Sequence, residues 1–142
     1  MNICDIMTGS VVSVCEDESV FVAAREMKRN NVGALPVHDG KKRLRGIITD
    51  RDIVTRCVAA DMCASQIKIG EIMSRNLVTA APFDQAETAA KKMSAFQIRR
   101  LPVADNGILV GIVALGDVAR RSEYEMEAAA ALCEISSSFH RQ

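Results

Sequence analysis

The sequence predicts an α/β (α+β) fold: two β-α-β-β-α repeats packed with pseudo-twofold symmetry, followed by a C-terminal helix. Three observations carry this: a motif series that recurs, a change of periodicity inside each copy, and enough apolar content for a core. A shift of 66 residues lays Asp5-Ile6-Met7-Thr8 over Glu71-Ile72-Met73-Ser74, and Val12 over Val78. The same shift brings Ala23, Ala24 and Met27 onto Ala89, Ala90 and Met93, and Leu35-Pro36-Val37 and Asp39 onto Leu101-Pro102-Val103 and Asp105. After a turn that differs by one residue the shift is 65, and Leu44, Gly46, Ile47 and Asp52 meet Leu109, Gly111, Ile112 and Asp117. Self-similarity of this kind marks one supersecondary unit used twice.

The elements follow in order. Residues 11–14 form an apolar, β-branched run that reads as a strand, and Glu16-Asp17-Glu18-Ser19 leads into a capped helix with Val20, Ala23, Ala24, Met27 and Asn31 at helical spacing. Residues 35–38 and 44–48 read as adjacent strands joined by the polar turn Asp39-Gly40-Lys41-Lys42, and Thr49 opens a helix to about residue 60. The second copy repeats this with a helix over 84–96, strands near 101–104 and 109–113, and a helix after Leu115. The expected organisation is a first repeat over 1–61, a connector over 62–69, a second repeat over 70–121 and a helical tail over 122–142. In the tail, Met126, Ala129, Ala130 and Cys133 share one face. A three-stranded unit of this size is marginal alone, so two copies are expected to bury their apolar faces against each other.

Composition narrows the function. The 142 residues are 49% hydrophobic and carry 18 basic against 18 acidic side chains, so no global field attracts nucleic acid or an anionic membrane. Four Phe, one Tyr and no Trp leave no platform for stacking bases. No apolar run approaches the length of a membrane span, and the N-terminus lacks a basic segment before an apolar one, so a cytoplasmic protein is expected. The five cysteines, Cys4, Cys15, Cys57, Cys63 and Cys133, form no Cys-x-x-Cys pair and read as small buried hydrophobes in a reducing compartment. Met27 and Met93 coincide between copies and read as core.

Residues 46–52, Gly-Ile-Ile-Thr-Asp-Arg-Asp, run from a strand into a helix start. Thr49 stands at the N-cap and Asp52 three residues on, a reciprocal capping pair. Such a start gathers N–H groups and positive dipole, which suits an anion such as phosphate, although a bare cap has the same pattern. Its counterpart is Gly111-Ile-Val-Ala-Leu-Gly-Asp117, which keeps the glycine and aspartate and lacks the threonine.

Taken with the doubled Asp/Glu-Ile-Met-Thr/Ser and Leu-Pro-Val motifs, these stretches resemble a tandem CBS domain pair, also called a Bateman module, over nearly all of the chain to about Arg121. The resemblance implies a stand-alone sensor that binds an adenosine-containing ligand (AMP, ADP, ATP, NAD(H) or S-adenosylmethionine) between the repeats and pairs into a disc-like homodimer. It also implies two sites. Site A joins Thr49 and Asp52 to Leu77, Val78, Thr79, Ile98, Arg99 and Arg100. Site B joins Ala114 and Asp117 to Val11, Val12, Ser13, Val32, Gly33 and Ala34. At site A a carboxylate suits a ribose diol, the Thr49 hydroxyl and helix-start N–H groups suit phosphate, and Arg99 or Arg100 supplies charge. Site B departs from the pattern at Ala114 and at Gly33-Ala34, so it is expected to be the weaker.

No cofactor is required on this reading, and no metal site, although Mg2+ can arrive with a phosphate. Asp50-Arg51-Asp52 reads as dipole partners rather than metal ligands, and His38 and His140 lack partners arranged for catalysis. Lys41-Lys42-Arg43 with Arg45 reads as a solvated turn. No nucleophile, base and orienting group assemble, so no enzyme is expected. The alternative is a structural module with an empty cleft that regulates a separate enzyme or transporter.

Overall fold

A computed structural model of the chain describes residues 1–120 and 130–135. They form two compact units interleaved in sequence: residues 12–77 with 107–109, and residues 1–11, 78–106 and 110 onward. Each unit therefore combines most of one repeat with the leading segment of the other.

In the first-repeat unit, β1 (Val14–Cys15) pairs in parallel with β2 (Ala34–His38), which pairs antiparallel with β3 (Leu44–Thr49). The strand expected over 11–14 is shorter and later, because only Val14 and Cys15 have partners, Val37 and His38. Helix α1 (Val20–Asn30) turns Val20, Ala23 and Met27 into the core. Its cap differs from expectation. The Ser19 side chain makes no capping bond, and the N–H groups of Val20 and Phe21 donate instead to the carbonyls of Ile67 and Ala64, at 3.0 Å each. The connector is thus the cap of α1. β3 runs into α2 (Asp50–Ile53), which continues as a π-helical turn, Val54–Val58, and α3 (Ile69–Ile72) closes the unit.

The second-repeat unit holds a 3-10 turn (Ile3–Asp5), α4 (Ala86–Phe96), a ribbon of β4 (Arg100–Asp105) and β5 (Ile108–Ala114), and α5 (Leu115–Ala119). Three strands are expected, but the first is reduced to one parallel bridge, Ala80 to Val103, among the described residues. The Ala81 N–H is taken by Asp84 Oδ2 at 2.9 Å and Pro82 has none to give, so the ladder stops. Residues 130–135 are helical, with Ala131 and Ile135 buried in this unit's core. Ala130 and Cys133 are exposed, so the expected tail face is corrected: the i, i+4 pair ending in Ile135 has more apolar surface to hide. Met126 and Ala129 lie outside the described residues.

The cysteines are corrected too. Cys57 is buried, Cys4 and Cys15 are half-buried, and Cys63 and Cys133 are exposed. Met27 and Met93 do lie in the two cores.

Both long helices end on a left-handed residue that is not glycine, Asn31 (φ 53°) and Gln97 (φ 57°). The next N–H, of Val32 or Ile98, returns to the carbonyl of Met27 or Met93 at 3.0 Å, satisfying helix-end acceptors. These caps aim the two loops that carry Gly33-Ala34 and Arg99-Arg100.

The leading segments dock by backbone. Ser74 exchanges both hydrogen bonds with Ile47 (2.8 and 2.9 Å), and Thr8 does so with Ile112 (2.9 and 3.0 Å). Glycine on the strand makes room. A Cβ on Gly46 would lie 2.7 Å from Ser74 O and 2.9 Å from Met73 Sδ; one on Gly111 would lie 3.0 Å from Thr8 O and 2.5 Å from Met7 Sδ. Gly116 has nothing within 4 Å. Gly46→Ala is therefore expected to destabilise the protein by about 1–3 kcal/mol through backbone overpacking. Gly116→Ala is expected to be neutral or to stabilise by up to about 1 kcal/mol. Urea unfolding of the two variants measures both.

Candidate functional site

Each expected site draws residues from both units. Thr49, Asp52 and Leu77 lie in the first-repeat unit, with Val12, Ser13, Val32, Gly33 and Ala34; Val11, Val78, Thr79, Ile98, Arg99, Arg100, Ala114 and Asp117 lie in the other.

Within the first-repeat unit, Thr49 ends β3 opposite Ala34 and caps α2. Its Oγ accepts from the Asp52 N–H at 3.0 Å, and its own N–H donates to Asp52 Oδ2 at 3.0 Å. Asp52 is 7% exposed, the one buried charged residue among those described. Ser74 Oγ reaches both of its oxygens, at 3.4 and 3.5 Å, and Arg56 Nε stands 3.8 Å from Oδ1. Arg56 Nη1 also donates to Ile72 O at 3.0 Å. The π turn carries this arginine, and such turns are frequent at functional sites.

The helix start is less open to an anion than its sequence suggests. Asp50 N donates to Gly33 O at 2.9 Å, Arg51 N to Asp50 Oδ1 at 2.8 Å, and Asp52 N to Thr49 Oγ. All three first-turn donors already have partners, against the expectation of helix-start N–H groups open to an anion. The Thr49 hydroxyl still has a proton to donate, since it accepts in the cap.

In the second-repeat unit, Val78 and Ile98 pack against the core and Thr79 O accepts from Lys92 Nζ at 2.7 Å. Arg99 and Arg100 are exposed, and neither guanidinium has a hydrogen bond or ion pair among the described residues. Arg99 O accepts from Leu115 N at 2.8 Å, matching the Gly33–Asp50 bond of the other unit. Ala114 N donates to Asp117 Oδ2 at 2.8 Å, but Ala114 has no hydroxyl, so only half of the reciprocal cap exists. Arg120 bonds Asp117 Oδ1, and these two with Asp5 and Ile6 line a hollow of about 370 Å³. No group of three or more His, Cys, Asp or Glu side chains is placed to hold a metal among the described residues.

The sequence reading gives Asp50 only as a dipole partner and leaves Arg56 and Ser74 outside the expected site. The signals were present: Ser74 is matched by Thr8, and Arg56 lies four residues after Asp52. The exposed Cys63 thiol is held below the ordinary thiol value, first by hydrogen bonding from the Ser65 side chain at 3.2 Å and then by the Ser65 N–H.

These features define a class: a tandem-repeat α/β module in which a strand ending in an aspartate-capped helix is used twice. The CBS domain model matches residues 3–59 and again 69–124, and the chain belongs to the CBS domain family. It is 42% identical over 132 residues to the CBS domain-containing protein YhcV of Bacillus subtilis, covering 93% of each. The crystal structure of Hypoxic Response Protein I with two coordinated zinc ions superposes with a TM-score of 0.78 at 34% identity, over 85% of this chain and 98% of that one. A CBS domain protein of Pyrobaculum aerophilum complexed with AMP gives 0.75 at 27% identity, covering 91% and 98%. The CBS domain pair of protein MJ0100, in complex with 5′-methylthioadenosine and S-adenosyl-L-methionine, gives 0.71 at 32%, covering 84% and 94%. A homoserine O-acetyltransferase of Methanococcus vannielii is 34% identical over 115 residues, only 23% of its own length.

Two outcomes are expected. Thr49→Ala lowers stability by about 1 kcal/mol and Ala114→Thr raises it by a similar amount, because one removes and the other completes a cap; urea midpoints report both. Alkylation of Cys63 by iodoacetamide has its pH midpoint below that of a free thiol, and Ser65→Ala moves it upward.

Proposed function

We propose that the chain is a non-enzymatic regulatory module that binds an adenosine-containing ligand (AMP, ADP, ATP, NAD(H) or S-adenosylmethionine) through residues of both repeats. The observation that carries this is the Thr49–Asp52 cap, whose hydroxyl proton remains to be donated beside a held carboxylate. Asp52 is the acceptor for ribose hydroxyls, Thr49 the donor to phosphate, Arg99 and Arg100 the charge, and Leu77, Val78 and Ile98 the apolar wall for the base. Relatives with AMP, or with S-adenosylmethionine and methylthioadenosine, support the reading. The second site, with Ala114, is the weaker, so one nucleotide binds per chain.

A homodimer is part of the proposal. Phe21, Val54 and Val58 expose 48, 58 and 65% of their surface, apolar area of the kind that a second copy covers. The same surface favours the second reading, a docking module that acts on a separate enzyme or transporter without ligand. Among the described residues no helix is long and apolar enough to cross a membrane.

Calorimetry with the five ligands tests the proposal. One of them is expected to bind near one per chain, with at least a tenfold loss in Asp52→Ala. No heat from any ligand, with Asp52→Ala silent, removes the nucleotide reading, and a stoichiometry near two with similar affinities removes the one-site assignment. Partner capture that ignores nucleotide supports the docking module.

A further inference from the structure

The π turn and the connector each carry a cysteine that the proposed site does not use, and the backbone folds one back onto the other. Cys57 lies on the turn, wholly buried in a core that it shares with Val20 and Ile67, and Cys63 follows six residues later with its thiol exposed. Between them Asp61 reverses the chain at φ 56°. The Met62 N–H returns to Cys57 O at 2.9 Å and the Asp61 N–H to Val58 O at 3.1 Å, the two bonds of a Schellman turn. Cys57 Sγ also donates to Met62 O at 3.5 Å. Both thiols are therefore anchored to one peptide group, the Met62–Cys63 amide, Cys57 by its hydrogen bond and Cys63 by its own backbone. A disulfide joins residues whose Cα atoms are roughly 4.4–6.8 Å apart, which is the reach of segments held together in this way.

The two thiols differ in reactivity. Cys63 Sγ stands 3.2 Å from Ser65 Oγ, and hydrogen bonding from Ser65 keeps the thiol below its ordinary value, so more of it is thiolate near neutral pH. Cys57 is closed off from solvent and keeps its proton on Met62 O.

We infer that Cys63 and Cys57 form a peroxide-reactive dithiol, in which Cys63 is oxidised first and Cys57 resolves it as an intramolecular disulfide that draws the connector away from the start of α1. The Cys63 thiolate attacks one oxygen of hydrogen peroxide. The O–O bond breaks, an S–O bond forms, and the departing hydroxide takes a proton from solvent and leaves as water. Cys57, released from Met62 O as the Schellman turn opens, then attacks the sulfenic sulfur; the S–O bond breaks, the S–S bond forms, and hydroxide leaves with the Cys57 proton as a second water. Two thiols are oxidised and one peroxide is reduced. Closure takes the Cys63 thiol off Ser65 and turns it toward the core. Ala64, the next residue, supplies the carbonyl that accepts the Phe21 N–H, and Ile67 supplies the one that accepts from Val20, so the disulfide loosens the cap on which α1 begins.

The test is oxidation of the reduced, intact chain with a few equivalents of hydrogen peroxide, followed by trypsin. Arg56 and Lys68 bound a single peptide, 57–68, that holds both cysteines. That peptide is expected to become two hydrogens lighter and to be restored by dithiothreitol. Hydrogen exchange followed by NMR is expected to speed up at the Val20 and Phe21 amides by at least about tenfold in the oxidised protein, with the Ala89 amide of the other unit unchanged. Cys57→Ala is expected to halt the reaction at the Cys63 sulfenic acid, which dimedone captures. Cys63→Ser, at an exposed position, is expected to leave Cys57 reduced and keeps the test open should Cys57→Ala fold poorly. A disulfide to Cys4, Cys15 or Cys133, a disulfide between chains, oxidation confined to Met62, or loss of the Cys57 thiol in Cys63→Ser overturns the dithiol. An internal disulfide that leaves Val20 and Phe21 exchanging as before overturns its action on α1.

Discussion

The docking of Ser74 on Ile47 and of Thr8 on Ile112 is the constraint on which the rest depends. β3 and β5 each pair with a neighbouring strand on one edge and receive the leading segment of the other repeat on the other, directly over a glycine. Two strong backbone bonds on each side fix where the strand ends and thus where its cap residue stands. Met73 and Ile72 then fill the core beneath, as Ile3 does in the other unit. A side chain at Gly46 would displace Ser74, and with it the hydroxyl that reaches Asp52. Strand sterics and helix capping meet at one carboxylate.

Polar accounting decides what that carboxylate can do. The first-turn N–H groups of α2 are satisfied internally, so the donors left over at the helix start belong to side chains, whose identity differs between repeats. A duplicated scaffold can then keep its backbone bonds while changing the side chains they carry.

Much of this was legible in the sequence because duplication makes a chain its own comparison. The 66-residue shift places both methionine core positions, and the 65-residue shift after the turn places both caps and the unequal threonine and alanine. The boundaries failed where hydrogen-bond partners rather than periodicity set them. The first strand is two residues long since only Val14 and Cys15 find partners, and its counterpart dwindles at Ala80 because Asp84 and Pro82 end the ladder. The capping role of the connector was invisible, since its carbonyls carry no residue signature. Asp50 was read as a dipole partner, and its approach to Gly33 emerges only when strand, loop and helix start are assembled. The tail face was misjudged through Cys133, whose small thiol yields the core to Ile135.

The carbonyls of Ala64 and Ile67 that cap α1 also impose an order on biogenesis. A chain emerging from the ribosome cannot finish α1 until residue 67 is outside, nor complete the core beneath it until Ile72 and Met73 follow. The other unit waits longer, because Ile3 has to be held in reserve through most of synthesis until Val113 and Val118 arrive to enclose it. Nascent apolar surface from residue 3 is thus unshielded for roughly a hundred residues of translation, an interval of about 5–20 s at typical bacterial to eukaryotic elongation rates. The turn at Ile3–Asp5, rather than either long helix, is where a chaperone would find this protein unfinished.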